Sequence, residues 1–161
     1  YDWQPETADL TVLSDADWAG CLRTRRSTSG GFLLRGAHLI THWCKTQATV
    51  ALSSGESELN ACLKGAAEGI FLKQLSGELG QPGTLKLMGD SSASLGILQR
   101  EGSGAIKHLD VKQLWIQEKV AQKVVLVEKL PRARNSADAL THHWTGESAK
   151  HYRSVGLQAC S

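Results

Sequence analysis

Long apolar runs are absent from the 161-residue sequence. None approaches the roughly 18 residues that a membrane-crossing helix needs, so no membrane partner is expected. Excess charge of one sign is also scarce: the formal net charge is +2, which permits a nucleic-acid partner without arguing for one. Cysteine is confined to Cys21, Cys44, Cys62 and Cys160, and no two form a C-x-x-C pair. That spacing suggests neither a zinc site nor a redox motif. Cys62 falls on an apolar helical face and is expected to be a buried free thiol. The start, Tyr1–Asp9, is acidic and polar, unlike a secretory signal. A reduced intracellular protein, cytoplasmic or nuclear, is the expectation. The first residue is not methionine, and the chain is expected to be cut from something longer.

What is present is ordinary for a globular domain, with 41% hydrophobic and 21% charged residues. The length suits one domain, able to bury roughly 70% of the surface its unfolded chain exposes. Residues 1–9 are expected as a leader or linker, 10–150 as the domain and 151–161 as a tail. There is no internal repeat and no low-complexity tract.

Leu10–Ser14 predicts a strand ending at Asp15. Gly30 and Gly31 open a second, Phe32–Leu34, and His38–Cys44 reads as a third; short connections make the three an antiparallel meander. The period then changes. Leu59, Cys62, Leu63, Ala66 and Ile70 recur at helical spacing within Ser53–Leu79. Ser53 and Glu56 form an S-x-x-E capping box at its start, and Gly80 and Pro82 end it. A strand over Thr84–Met88, a short helix over Asp90–Arg100, a helix over Ile106–Gln122 and a strand over Val124–Leu130 follow. Asn135 opens a last helix taking in Ala137, Leu140 and Trp144. A meander followed by alternating strands and helices predicts an α/β fold with a mixed, helix-covered sheet.

Four acids stand at junctions of these elements: Asp15, Glu58, Asp90 and Asp138. Each has a local explanation, since acids favour helix N-termini, Asp90 can cap its helix, and Asp15 can share a turn with Asp17. Together they say more. Strand ends and the helix starts after them line one edge of such a sheet, where ligands bind. Two bare charges ~4 Å apart repel by about 4 kcal/mol at an effective dielectric near 20. Four converging carboxylates therefore require cations, and all-oxygen ligands suit magnesium or manganese. Strand parity leaves Asp15 and Asp17 on the same face and does not separate them. Glu56 already has a task in the capping box, which favours Glu58.

The order of elements and the carboxylate order Asp, Glu, Asp, Asp resemble the ribonuclease H family, and the local strings resemble its copia-type (Pseudoviridae-like) retrotransposon members over nearly the whole chain. These strings are S-D-A-D-W-A-G at 14–20, R-R-S-T-S-G-G at 25–31, A-L-S-S-G-E-S-E-L at 51–59, K-H-L-D-V at 107–111 and A-D-A-L-T at 137–141. The resemblance implies a ribonuclease H-like fold: a five-stranded mixed sheet, antiparallel meander plus parallel strands, flanked by helices. It favours Asp15 and Glu58 over their neighbours. It implies that Asp15, Glu58 and Asp90 hold metal ions, with Asp138 completing a second site. The ions would be two Mg2+, with Mn2+ possible, and the activity endonucleolytic cleavage of the RNA strand of an RNA–DNA hybrid, leaving 5′-phosphate and 3′-hydroxyl ends. The implied partners are the hybrid and the reverse transcriptase polymerase region of the same polyprotein, with the isolated domain a monomer.

The chain departs from the family in places. The loop L-P-R-A-R-N before Asp138 lacks the histidine many relatives carry. His142 and His143 stand where copia-type relatives usually show lysine; they either substitute for that histidine or, the favoured reading, are exposed helix histidines. S-S-A-S follows Asp90 where asparagine and glutamine are commoner. For substrate contact, Arg25 and Arg26 crowd the first hairpin with Arg23, and Arg132 and Arg134 crowd the loop before Asp138 with Lys129. Either cluster suits phosphates, or is a solvated turn. Asn60, Ser91 and Ser92 are polar and near the acids. Lys107, His108 and Asp110 form a second acid–base cluster, read as a helix-start signature. The five tryptophans are expected mainly in the core, with Trp18 and Trp43 open between core and stacking. Two other readings stand beside this one: a different metal nuclease on the same fold, and a catalytically weak or silent module that binds hybrid or supports a polymerase.

Overall fold

The computed structural model describes residues 3–100, 111–143, 145–146 and 149–150. Strands β1 (Leu10–Ala16), β2 (Thr28–Arg35) and β3 (His38–Thr46) are followed by helix α1 (Ser54–Glu78), strand β4 (Leu85–Gly89), helices α2 (Ser92–Leu98) and α3 (Val111–Ala121) and strand β5 (Leu126–Lys129). Two 3₁₀ turns, Arg132–Arg134 and Ser136–Leu140, come last. The five strands form one sheet in the order β3-β2-β1-β4-β5. β1, β2 and β3 are antiparallel, and β4 and β5 continue the sheet in parallel from β1. This is the expected mixed sheet. The expected Lys107–His108–Asp110 cluster, Trp144, Cys160 and the tail 151–161 lie outside the described residues, as does the first part of the third helix.

Alternation on the central strands builds the core. Leu10 and Val12 of β1 and Leu85 and Leu87 of β4 are buried and meet Leu59, Cys62, Leu63 and Ala66 of α1. Cys62 lies in this layer 3.3 Å from the Ser14 hydroxyl, and burial pushes its thiol up to about 11, so it is the inert buried cysteine expected. Small residues let α1 approach the sheet: a Cβ on Gly65 would stand 2.8 Å from Val12 Cγ1. Ser53 caps α1 by accepting the Glu56 N–H at 3.2 Å, and Glu56 Oε2 reaches back to the Leu52 N–H at 2.7 Å. Among the described residues no helix is long and apolar enough to cross a membrane. The residues before β1 are tied to the β2–β3 hairpin, Gln4 donating to the Arg35 carbonyl at 3.0 Å and accepting the Ala37 N–H at 2.8 Å.

Two expectations need correction, and one local alternative falls away. β2 runs from Thr28 to Arg35, so Gly30 and Gly31 are strand interior rather than its opening. Glycine is there because neighbours approach from both sides: a Cβ on Gly31 would stand 2.1 Å from the Trp43 ring, and one on Gly30 would stand 2.7 Å from Leu140 Cβ. Trp43 thus covers Gly31 as part of the core edge, whereas Trp18 is 56% exposed with its Nε1 donating to the Ala51 carbonyl. Asp90 does not cap α2. Ser91 does, accepting the Ser94 N–H at 3.3 Å, so the Asp90 carboxylate is free of that task. The last helix is, over the described residues, a 3₁₀ turn. Its start is tethered, since buried Asn135 accepts the Ala137 N–H and donates to the Ser14 carbonyl of β1 at 3.0 Å.

Gly30→Ala is expected to cost about 1–3 kcal/mol in urea unfolding, because the methyl group has no room between the strand and Leu140. Gly77→Ala, in the last turn of α1 with nothing within 4 Å of the added Cβ, is expected to gain about 0.5–1 kcal/mol.

Candidate metal centre

Register brings the acids together. In the parallel pair β1/β4, Leu13 stands opposite Met88. Asp15, in β1, and Asp90, immediately after β4, each lie two residues further on, and ligand atoms of the two come within 4.8 Å of one another. In the antiparallel pair β1/β2, Asp15 stands opposite Gly30, the glycine on which the last 3₁₀ turn rests. That contact delivers Asp138. Glu58, in the second turn of α1, reaches the same end, where the Ala16 N–H donates to its carboxylate.

The result is two overlapping sets of ligand atoms. Asp15, Glu58 and Asp90 form one, and Asp15, Asp138 and His142 the other; within each set the atoms lie within 4.8 Å of one another. Asp15 belongs to both. Its carboxylate is nearly buried, accepts a hydrogen bond from Thr141 Oγ1 on Oδ2, and lies 3.5 Å from Asn135 Nδ2 on Oδ1. Burial pushes its pKa up to about 6, with Asp138 and Asp90 adding to the rise and the Thr141 hydroxyl opposing it. Burial likewise pushes Glu58 up to about 8, with Asp15 and Asp90 adding to it and the Ala16 N–H and Arg132 opposing. Asp138 lies 3.2 Å from His142 Nδ1 and 3.8 Å from the Arg132 guanidinium.

At Asp15 and Glu58 burial and mutual repulsion outweigh the neighbouring positive groups, and oxygen donors gathered at one sheet end suit divalent cations. The residues present therefore fit divalent metal ions, and the shared Asp15 suits a pair of ions better than a single one.

The neighbouring acids have other partners. Asp17 lies beyond the end of β1 and its Oδ1 accepts the Thr28 N–H, while Glu56 serves the α1 cap. Of the expected substrate contacts, Ser91 caps α2, Ser92 accepts from Lys129 Nζ at 2.6 Å, and Asn60 donates to Gln47 Oε1 at 3.3 Å. Arg132 is exposed beside Asp138, Arg134 is exposed in the same 3₁₀ turn, and Arg25 and Arg26 lie in the exposed β1–β2 connection. Sequence reasoning missed two groups around Asp15, the second task of Asn135 and Thr141, and left His142 open; it is exposed as expected and faces the acids. The signal was present, since Thr141 and His142 follow Asp138 at i+3 and i+4, on one face of a helical turn.

No protein-family model matches the chain. The retrovirus-related Pol polyprotein from transposon TNT 1-94 of Nicotiana tabacum is 33% identical over 134 residues, 82% of this chain and 10% of the polyprotein. Secreted RxLR effector protein 161 of Plasmopara viticola is 44% identical over 66 residues, 41% of this chain and 46% of the effector. The chain thus spans less than half the length of either. Among solved structures, a ribonuclease H1 isolated from compost by a metagenomic approach superposes with TM-score 0.57 at 15% identity, over 83% of this chain and 93% of that one. The N-terminal ribonuclease H domain of a Mycobacterium tuberculosis protein gives 0.55 at 15%, over 91% and 96%. The fold is that of ribonuclease H. By sequence the chain is related to retrotransposon and retroviral Pol polyproteins. The compost enzyme has also been solved with an RNA/DNA hybrid, and that structure superposes with TM-score 0.55 at 14% identity, over 81% of this chain and 92% of that one.

Raised carboxylate pKa values fix a sign for stability against pH. An acid whose pKa is higher folded than unfolded contributes stability that is complete below the unfolded value of ~4 and is lost as pH rises through the folded one. In chelator the melting temperature is therefore expected to fall between about pH 5 and pH 8, first through Asp15 near 6 and then through Glu58 near 8. Glu58→Gln should flatten the upper part of that fall, and Mg2+ should recover the loss at pH 8. A melting temperature independent of pH in chelator would contradict the crowding of these acids. Thr141→Val, which keeps shape and removes the donor to Asp15, is expected to weaken metal binding ~10–100-fold by calorimetry while leaving the circular dichroism spectrum unchanged.

Proposed function

We propose that this chain is the ribonuclease H domain of a copia-type retrotransposon polyprotein, that residues 10–150 form that domain, and that it cleaves the RNA strand of RNA–DNA hybrids with Asp15, Glu58, Asp90 and Asp138 as the metal-holding catalytic acids. The observation that carries the reading is the pair of ligand sets meeting at Asp15. The strings around the acids support the copia-type assignment, as does the kinship with the tobacco Pol polyprotein. The hybrid-bound compost enzyme of the same fold supports the substrate class. By that reading the partner within the polyprotein is the reverse transcriptase region, and the setting is intracellular.

In the mechanism, Asp15, Glu58, Asp90 and Asp138 would hold two divalent ions, which when bound would supply water activation and charge stabilisation for a cleavage leaving 5′-phosphate and 3′-hydroxyl ends. The chain's residues supply position. Asn135 and Thr141 fix the two oxygens of Asp15, so the shared ligand does not rotate away from either set. The Ala16 N–H does the same for Glu58. Arg132 is exposed beside Asp138, Arg134 is exposed in the same turn and Lys129 is exposed against Ser92, and all three suit attraction of the phosphate backbone without reading sequence. Ser91 and Ser92 directly follow Asp90, Asn60 follows Glu58 by two residues and is held by Gln47, and all three suit contacts to 2′-hydroxyls.

Incubation of the domain with a labelled RNA–DNA hybrid and Mg2+ or Mn2+ is expected to cut only the RNA strand, with no cleavage in chelator. Asp90→Asn should lower the rate by more than ~100-fold, since a ligand matters at least as much as the groups that orient it. Intact hybrid that nonetheless binds would identify a silent module instead, and cleavage of double-stranded DNA would identify another nuclease of this fold.

A further inference from the structure

The two ligand sets are chemically unlike. Asp15, Glu58 and Asp90 offer only carboxylate oxygens, whereas Asp15, Asp138 and His142 include an imidazole. His142 Nδ1 lies 3.2 Å from Asp138 Oδ1 and 2.9 Å from Thr141 Oγ1. Thr141 has one hydroxyl proton, and Asp15 Oδ2 is within its reach as an acceptor. An imidazole nitrogen faces a carboxylate oxygen at that range either by donating its own N–H, as a neutral or protonated ring, or with a metal ion held between the two atoms. Ligands at right angles on an octahedral ion with bonds of 2.0–2.1 Å lie ~3 Å apart, so the observed separation spans one edge of such an octahedron.

We propose that His142 is a nitrogen ligand and that the two metal positions therefore differ in selectivity: the all-oxygen position takes Mg2+, and the Asp15–Asp138–His142 position takes a borderline first-row ion such as Mn2+ in preference to Mg2+. Magnesium is a hard ion that keeps oxygen ligands and water, whereas imidazole favours transition ions. This inference deepens the metal-dependent reading above and rests on its metal centre, but it does not require that the substrate be a hybrid. The neighbouring His143 is exposed and belongs to neither set. It is the natural control.

The test is Mn2+ binding to the whole chain at mildly alkaline pH, followed by electron paramagnetic resonance with excess Mg2+ present. The wild type is expected to retain one Mn2+ against Mg2+ and to show a nitrogen hyperfine coupling in the pulsed spectrum. His142→Ala and His142→Lys should both lose that coupling and bind this Mn2+ ~10-fold or more weakly, with Mg2+ binding at the other position unchanged. His143→Ala should behave as wild type. Absence of nitrogen coupling in the wild type, or Mn2+ affinity unaffected in both His142 variants, would overturn the proposal and identify His142 as a protonated partner of Asp138. Hybrid cleavage in Mg2+ alone is scored in parallel. Cleavage without nitrogen coupling refutes only this inference, and coupling without cleavage refutes only the ribonuclease reading.

Discussion

Asp15 is 3% exposed, and Asp90 and Asp138 both raise its pKa. A carboxylate so placed is unfavourable in the metal-free chain, and several features of the fold are arranged around keeping it there. The last 3₁₀ turn rests on Gly30, directly across from Asp15, because no side chain intervenes. Asn135 ties that turn to β1 through the Ser14 carbonyl, and Thr141 closes it onto the carboxylate itself. Ser91 takes the cap of α2, and Ser53 with Glu56 forms the capping box of α1, which leaves Asp90 and Glu58 for the centre. The repulsion is thus concentrated rather than relieved, as at sites whose electrostatics are completed by a ligand.

Much of this was legible. The capping box marked the start of α1 to within one residue, and the helical recurrence of Leu59, Cys62, Leu63 and Ala66 identified its buried face. The meander, the parallel crossovers and the junctional position of the acids followed from period and turn residues. The rest depended on tertiary contact. Gly30 and Gly31 look like turn residues until Leu140 and the Trp43 ring are seen to occupy the space their side chains would need. Asn135 reads as a cap, and it is one, but its amide nitrogen also faces a strand 121 residues away in sequence. His142 reads as a surface residue and is exposed; its orientation toward Asp138 comes from the tight turn, which local propensity does not predict. Strand parity puts Asp15 and Asp17 on the same face; what separates them is the end of β1 at Ala16, after which Asp17 accepts the Thr28 N–H.

The superposed ribonucleases H share the fold at about 15% identity. At that distance individual core residues are largely replaced, and cores tolerate this when volume and pattern are kept. The site is anchored differently. Its acids come from a strand end, a helix start, a strand-to-helix junction and a turn, whose relative positions follow from backbone pairing. Leu13 opposite Met88 sets Asp15 beside Asp90 whatever hydrophobic residues fill β1 and β4. A slip of one residue would turn every side chain of one strand to the other face and separate the two acids.

That same anchoring allows change around the acids. The backbone determines where Asp15, Glu58, Asp90 and Asp138 converge, but not which side chains complete the coordination or line the rim. Residue 142 lies one turn beyond Asp138, with its Nδ1 3.2 Å from an Asp138 carboxylate oxygen. A substitution there alters the donor set without disturbing the sheet, because His142 is exposed and supports no core contact. The coordination chemistry of the centre can therefore diverge at its periphery while the four carboxylates and the register beneath them stay fixed. The difference between the two ligand sets requires only the residue that follows Thr141, placed by a turn already held for the sake of Asp15.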